Sequence, residues 1–443
     1  MHSLAPQRRA RRVTLLAVGA ISATALVLSG CSADNGSTSS DGTVTLTVIR
    51  SADNVPTDAQ MEAYTEYTDG RVQFDLTEVP FGQFADKVSV LSTSANPPDI
   101  YGYDMPNTAN YASEGVLLPL DEYLPDGWKD DVLPATLKEV TYDDQIYSMG
   151  VIQDALVLYY NKTLTDAAGI EVPTTLEDGW TWAEAHEAMM QCQEGTPENP
   201  DIYGLAPTQL GSGTPGPVYS DLLYLRSAGD PDAPKDSSAY KTFYALSPDG
   251  DEVDGWLNTP EAIEAAEFYQ SLFNGDTAVT SKTGRPNAFA DGIACFDIFQ
   301  SLGISAVEGV DFEWGVAPLP YIKSPIVHTG AVTLGVSSKS KNADEAAEFV
   351  VWASTGDGAK NHSIAESRLP NLTSVYDEIP EFHEPPRALF FEELTQWGQP
   401  RPPTVAFSQY SQIVETALKN IAYGSDPEEQ LNSAVAQLTP MLQ

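Results

Sequence analysis

Catalysis needs particular side chains at particular spacings, and this 443-residue chain carries few such sets. His186 opens "HEAMM", but no second histidine follows one helical turn later, so the zinc-binding pair of a metalloprotease helix is missing. No G-x-S-x-G nucleophile elbow occurs, and "GSGTPG" from Gly211 does not fit one. There is no glycine-rich phosphate loop, and His186, His328, His362 and His383 are far apart in sequence. With 63 acidic residues, counting neither supports nor excludes a carboxylate pair for glycoside hydrolysis. The run "SPDGDEVDG" (Ser247 to Gly255) reads either as a calcium loop or as a solvated acidic turn; it lacks the full EF-hand pattern. One acid stands apart. Asp154, preceded by Gln153, interrupts an apolar run of Val151, Ile152 and Ala155 to Leu158. A carboxylate there is costly to bury without a partner, which makes Asp154 the first candidate for ligand contact. The residues thus point to binding rather than catalysis, with no cofactor and no metal site.

The formal charge is −40, from 23 basic and 63 acidic residues. Nucleic acid and anionic membrane surfaces both call for basic patches, so neither is expected as a partner. The N-terminus is the exception in charge. It holds Arg8, Arg9, Arg11 and Arg12 and no acid before Asp34, then an apolar run from Val13 to Leu28. That layout is an export signal, and a largely apolar core of sixteen residues falls short of the roughly 20 a membrane span needs. The signal ends in Leu28-Ser29-Gly30-Cys31, which resembles a bacterial lipobox and implies cleavage before Cys31 and lipidation of its thiol. Residues 1–30 are then the signal and 31–42 a flexible Ser/Gly/Asn/Asp tether. The Arg11-Arg12 pair leaves the general and twin-arginine routes both open. Cleavage leaves 19 basic against 63 acidic residues.

Elements must position any site. "TVTLTVIR" (Thr43 to Arg50) alternates like a strand, and "FGQFADKVSVL" repeats its apolar residues at helical spacing. "PPDIYGYD", "LVLYYNK" and "GIACFDIF" are short apolar strands. Thr259-Pro260-Glu261, Asn342 and Asp426-Pro427-Glu428-Glu429 open helices. Residues 195–218 and 230–256 are rich in Pro, Gly and Asp and read as loops. The alternation of strands and helices predicts an α/β fold with largely parallel sheets. Trp182, Ala185, Met189 and Cys192 share one helical face, and Cys295 lies in an apolar strand, so two buried thiols and one disulfide both fit these cysteines.

Several segments, in order, resemble the extracellular solute-binding proteins of sugar ABC transporters, the broad family that includes maltodextrin-binding proteins. They are "NPPDIYGYDMPNTANYASEGVLLPLDEYL", "IYSMGVIQDALVLYYNKTLTDAAGIEVPTTLEDGWTWAEA", "AFADGIACFDIFQS", "WGVAPLPY" and "GVSSKSKNADEAAEF". The resemblance implies a two-lobed α/β periplasmic-binding-protein fold of type II-like form, with a hinge and an interlobe cleft. Crossings fall near Val151–Leu156, His328–Leu334 and Arg368–Asn371. Lobe 1 takes 43–150 and 331–370; lobe 2 takes 155–327 and 371–443. It further implies a lipid-anchored receptor on the extracytoplasmic face of the cell membrane that binds carbohydrate and delivers it to ABC permease subunits. A secreted polysaccharide-degrading lipoprotein enzyme, or the same fold with a non-sugar solute, stand as alternatives.

A sugar presents hydroxyl edges and an apolar C–H face, so its site calls for carboxylates, amides and planar aromatics. By resemblance, Tyr103 is an aromatic platform, beside Asp104 and with Asn107 one turn on. Gln153 and Asp154 lie in the first crossing. Arg50, Ser51, Asp53 and Asn54 follow the first strand toward the cleft. Where relatives often carry a stacking tryptophan, this chain reads Phe299-Gln300-Ser301. Arg368 is read as a ligand contact or a structural ion pair. Trp397 and Tyr410 are candidates to cover the cleft, whereas Trp180 and Trp182 pack a helix start. On this reading Asp154→Ala loses binding at little cost in stability.

Overall fold

The computed structural model describes residues 42–51, 55–207 and 218–442; the signal, Cys31 and nearly all of the tether lie outside them. Eleven strands build two main sheets. In chain order they are β1 (Val44–Ser51), β2 (Val72–Val79), β3 (Ile100–Asp104), β4 (Met149–Asp154), β5 (Val157–Asn161), β6 (Glu194–Thr196), β7 (Asn199–Leu205), β8 (Ala294–Phe299), β9 (Trp314–Ala317), β10 (Gly330–Val336) and β11 (Leu369–Pro370). The first sheet has the order β11-β4-β10-β3-β1-β2 and the second β9-β5-β8-β7-β6.

Both sheets are mixed rather than largely parallel. β1 runs parallel to β2 and β3, but β10 is antiparallel to β3 and β4, and β11 is antiparallel to β4. In the second sheet β5 is antiparallel to both β8 and β9. The reason is connectivity. Strands that pass between the sheets return beside strands of the opposite direction, a constraint that local helix and strand patterns do not carry. The three expected crossings meet at one place: Gly330 sits opposite Asp154, and Leu369 opposite Gln153.

Helix starts follow local chemistry. Thr181 and Glu184 form a reciprocal cap before Trp182–Cys192, and Thr259 and Asp426 accept hydrogen bonds from the third residues of their helices. Asn342 precedes the Ala343–Ser354 helix but makes no side-chain cap. Two expected loops are ordered elements. Residues 194–205 form the β6–β7 hairpin, and Ser237 caps a helix over Ser238–Tyr244. Pro, Gly and Asp bound these elements closely enough to mask them in composition; residues 208–217 lie outside the described residues.

Aromatic rings pack beside each sheet, within a core that is partly shared by both. Phe349 lies against Phe74 and Tyr64 beside the first, with ring centroids 4.7 and 5.0 Å apart. Trp182 stacks on Tyr224 at 4.1 Å beside the second, and Trp180 meets Phe296 edge-on. Cys192 and Cys295 are joined as a disulfide, tying the Trp182–Cys192 helix to β8 across a sequence separation of 103. Closing a loop of that length disfavours the unfolded chain by roughly 4–5 kcal/mol in the chain-entropy account. Among the described residues no helix is long and apolar enough to cross a membrane.

Candidate functional site

The strand ends that face one another carry the polar residues. Asp154 closes β4 and is fully buried. Arg368 reaches its Oδ2 through Nε at 2.9 Å and through a second guanidinium nitrogen, while the Ser301 hydroxyl donates to Oδ1. The Tyr219 hydroxyl donates to the Asp154 carbonyl at 3.1 Å. Asp154, expected to meet ligand, and Arg368, read as a ligand contact or a structural ion pair, are thus each other's partners. Burial, reinforced by the Asp154 charge, pushes the Tyr219 phenol well above its ordinary range, so it stays a donor. The predicted mildness of Asp154→Ala does not survive this geometry: removing the carboxylate strands a half-buried guanidinium.

Asp104, at the end of β3, receives both terminal nitrogens of Arg401, at 2.8 and 2.6 Å. The Arg401 guanidinium lies 5.3 Å from the Tyr219 ring and 5.6 Å from that of Phe407. Next to it, Ser408 donates to the Asn107 amide oxygen at 3.0 Å, and the Asn107 amide donates to the Asp104 carbonyl at 3.1 Å. Behind this pair is a second buried group. Burial, then the charge of Arg226, hold His328 well below the usual imidazole range. Neutral, it accepts from Arg226 at 2.7 Å and donates through Nδ1 to the Tyr219 carbonyl at 2.9 Å.

At Asp104 opens a cleft of about 570 Å³, within the range of small-ligand sites. One wall is formed by Ser51, the stretch from Gly82 to Ser89, and Asp104 to Glu114; the other is the first turns of the Phe407–Ala422 helix. Hydroxyls, amides and carboxylates line it: Ser51, Ser89, Asn107, Asn110, Ser408, Gln409, Ser411 and Gln412, with Asp86, Asp104, Glu114 and Glu415. Phe84, Tyr111 and Phe407 supply the aromatic part, each almost wholly buried. Among the described residues that line it there is no Lys or Arg. Burial raises the Glu415 carboxyl above its usual range, against hydrogen bonds from Ser411 and the Val218 backbone that lower it.

The sequence-predicted residues fall into three groups. Ser51, Asp104 and Asn107 line the cleft. Asp154 and Gln300 belong to the buried layer with half-buried Arg368 at its edge, and the Gln300 carbonyl accepts from the Tyr159 hydroxyl at 2.8 Å; Gln153, also fully buried, donates to Thr136. The others lie away from the cleft lining. Tyr103 is fully enclosed, edge-on to Tyr111, with its hydroxyl 3.3 Å from Thr108. Tyr410 is equally buried, in the core shared with Val414 and Leu418. Trp397 packs edge-on against Tyr321, and half-buried Phe299 pairs with Val157 at the end of β8. Arg50 turns to Glu78 at 2.9 Å and Asp58 at 3.1 Å. Asp53, Asn54 and Cys31 lie outside the described residues. Among the described residues no cluster of His, Cys, Asp and Glu suits a metal, and the 247–255 loop folds around the Ser247 hydroxyl, which accepts from the Glu252 amide at 2.9 Å.

The helical wall went unnoticed in the sequence, though a signal was there. Ser408, Ser411, Gln412 and Glu415 recur at the spacing of one helix face, beside the apolar set Phe407, Tyr410, Val414 and Leu418. Arg401 was likewise passed over.

Two mixed α/β sheets with three adjacent crossings and a polar cleft define a two-lobed binding-protein fold. The chain belongs to the bacterial extracellular solute-binding protein family, whose profile matches residues 59–389. It is 23% identical to a maltotriose-binding protein of Pyrococcus abyssi over 330 residues, 72% of this chain and 65% of that one. It is 22% identical to the diacetylchitobiose-binding protein of Streptomyces coelicolor over 357 residues, 76% of this chain and 75% of that one. The fold matches an ABC substrate-binding protein of Listeria monocytogenes solved with cycloalternan, with a TM-score of 0.73, 20% identity, and 90% of this chain and 99% of that one covered. It also matches a cyclic α-maltosyl-1,6-maltose-binding protein of Arthrobacter globiformis, with a TM-score of 0.71, 24% identity and the same coverage.

Proposed function

We propose that the chain is the extracytoplasmic receptor of an ABC importer, held to the membrane by lipid on Cys31. It captures a neutral carbohydrate, a short oligosaccharide, in the cleft and passes it unaltered to the permease subunits. Lobe 1 comprises 43–150 and 331–370, and lobe 2 comprises 155–327 and 371–443. The observation that carries this reading is the lining. Amides and carboxylates accept from hydroxyls, amides also donate, and no cation lines the cleft to hold a phosphate or carboxylate. The sugars named for its relatives lean the same way.

Thermal shift tests it. Maltotriose, diacetylchitobiose and other neutral oligosaccharides are screened against sugar phosphates and uronates, with each sugar recovered afterwards. A cognate sugar at a hundred times its Kd stabilises by about 2.7 kcal/mol and is recovered intact. Stabilisation by anionic solutes alone, or recovery of cleaved sugar, overturns the reading. Cys31→Ser is expected to release the protein from the membrane fraction into the medium.

A further inference from the structure

We propose that Arg401 is the positioning residue of the cleft: paired with Asp104 across the two lobes, it holds the ligand-free chain closed and fixes the carboxylate that a ligand meets. The ligand half of this rests on the function proposed above; the latch half does not.

The two ends of the pair are anchored in different cores. Asp104 closes β3 of the first sheet. Arg401 leads into the Phe407–Ala422 helix, whose buried residues Phe407, Tyr410 and Val414 share a core with Leu205 and Phe296 of the second sheet. The bond between them is two-pronged, the geometry in which a guanidinium and a carboxylate fix one another's orientation. Arg401 is also held from behind. Its guanidinium lies near the rings of Tyr219 and Phe407, and its side chain is 8% exposed against 19% for Asp104. The cation is therefore fixed, and the carboxylate it holds is the partner that still reaches the cleft lining. The adjoining contact from Ser408 to Asn107 joins the same two walls.

A second carboxyl competes for Arg401 and loses. Glu139 is buried, accepts from the Thr329 hydroxyl at 3.0 Å, and has one oxygen without a hydrogen-bond partner. Burial pushes its carboxyl up to about 8, against the lowering charge of Arg401 and with the raising charge of Asp104. At neutral pH it is mostly protonated, which leaves the Arg401 charge to Asp104. Arg226 is the other cation facing Glu139, and it is engaged by the Phe243 and Pro400 carbonyls and by His328.

Small-angle X-ray scattering of the ligand-free protein tests the latch, with circular dichroism to confirm folding. Arg401→Met and Asp104→Asn are each expected to raise the radius of gyration. The double variant opens no further than either one, and Arg401→Lys opens less. Wild type is expected to expand between pH 7 and 9, as ionised Glu139 draws on Arg401, whereas Glu139→Gln does not. Should Arg401→Met fail to fold, Asp104→Asn at the more exposed end carries the test. Folded variants with the wild-type radius overturn the latch, whatever the ligand. If a neutral sugar binds wild type, its Kd should rise at least tenfold in Arg401→Met and Asp104→Asn. An unchanged Kd overturns the positioning role, and binding of no sugar by wild type counts against the proposed function alone.

Discussion

The floor, a layer of ion pairs that runs from cleft-lining Asp104 through Arg401 and Tyr219 to Asp154, and the rim of the cleft differ in how their polar groups are used. On the floor, Asp154 spends both oxygens on Ser301 and Arg368, and Asp104 spends both on Arg401. On the rim, Asn110, Glu114, Gln409 and Gln412 line the space half-buried or exposed. A buried charge must be matched by the protein itself, because its desolvation is paid whether or not a ligand arrives. A group still in water gives up hydration only on binding. On the proposed function, the floor therefore sets the shape of the closed form and presents the fixed Asp104 carboxylate, and the rim supplies the other ligand hydrogen bonds.

The largest effect should come from the floor. Asp154→Ala leaves Arg368 half-buried and unpaired, at a cost of about 3 kcal/mol, the low end of the range for a broken buried pair, in a denaturant titration. Asp154→Ala with Arg368→Met removes both charges and should recover a good part of that loss. A single variant as stable as wild type would show that the pair is not the structural element described here.

A smaller effect follows pH. Burial raises Glu139 to about 8 and Glu393 well above the usual carboxylate range. Between the unfolded value near 4.5 and the folded one, the native state holds more protons than the unfolded state, so stability falls as pH rises. His328 and His362 are held below 6.5, so their contrary contribution fades only about a unit above that, once the unfolded imidazoles have lost their protons. The melting temperature should therefore drop from about pH 7.5 to 9, and Glu139→Gln should flatten the drop. A rising melting temperature would contradict these placements.

The smallest effect on stability belongs to the rim. Asn110→Ala and Gln412→Ala should each shift stability by less than about 0.5 kcal/mol. Each should still weaken sugar affinity about tenfold, or ~1.4 kcal/mol, in calorimetry. The reverse pattern, stability lost and affinity kept, would erase the distinction between floor and rim.

The sequence carried the strands well, because β1 alternates, β3, β5 and β8 are apolar runs bounded by turns, and the caps at Thr259 and Asp426 are local. Sheet direction was not local, so the antiparallel returns of β10 and β11 were missed. The candidate site was legible where a strand end coincides with the cleft, as at Asp104 and Asn107. It failed at Tyr103 and Tyr410, because an aromatic near a cleft can point either way along its element and both turn inward. The pairing of Asp154 with Arg368 joins residues 214 positions apart, beyond the reach of any local pattern. The helical rim was legible through its polar periodicity alone.

Hydrogen exchange read by mass spectrometry, with and without the neutral oligosaccharide that gives the largest thermal shift, tests the central claim most directly. Ligand should slow exchange in peptides spanning 82–89, 104–114 and 407–415, the two walls of the cleft. Protection confined to other segments, with these three unchanged, would contradict capture between the lobes.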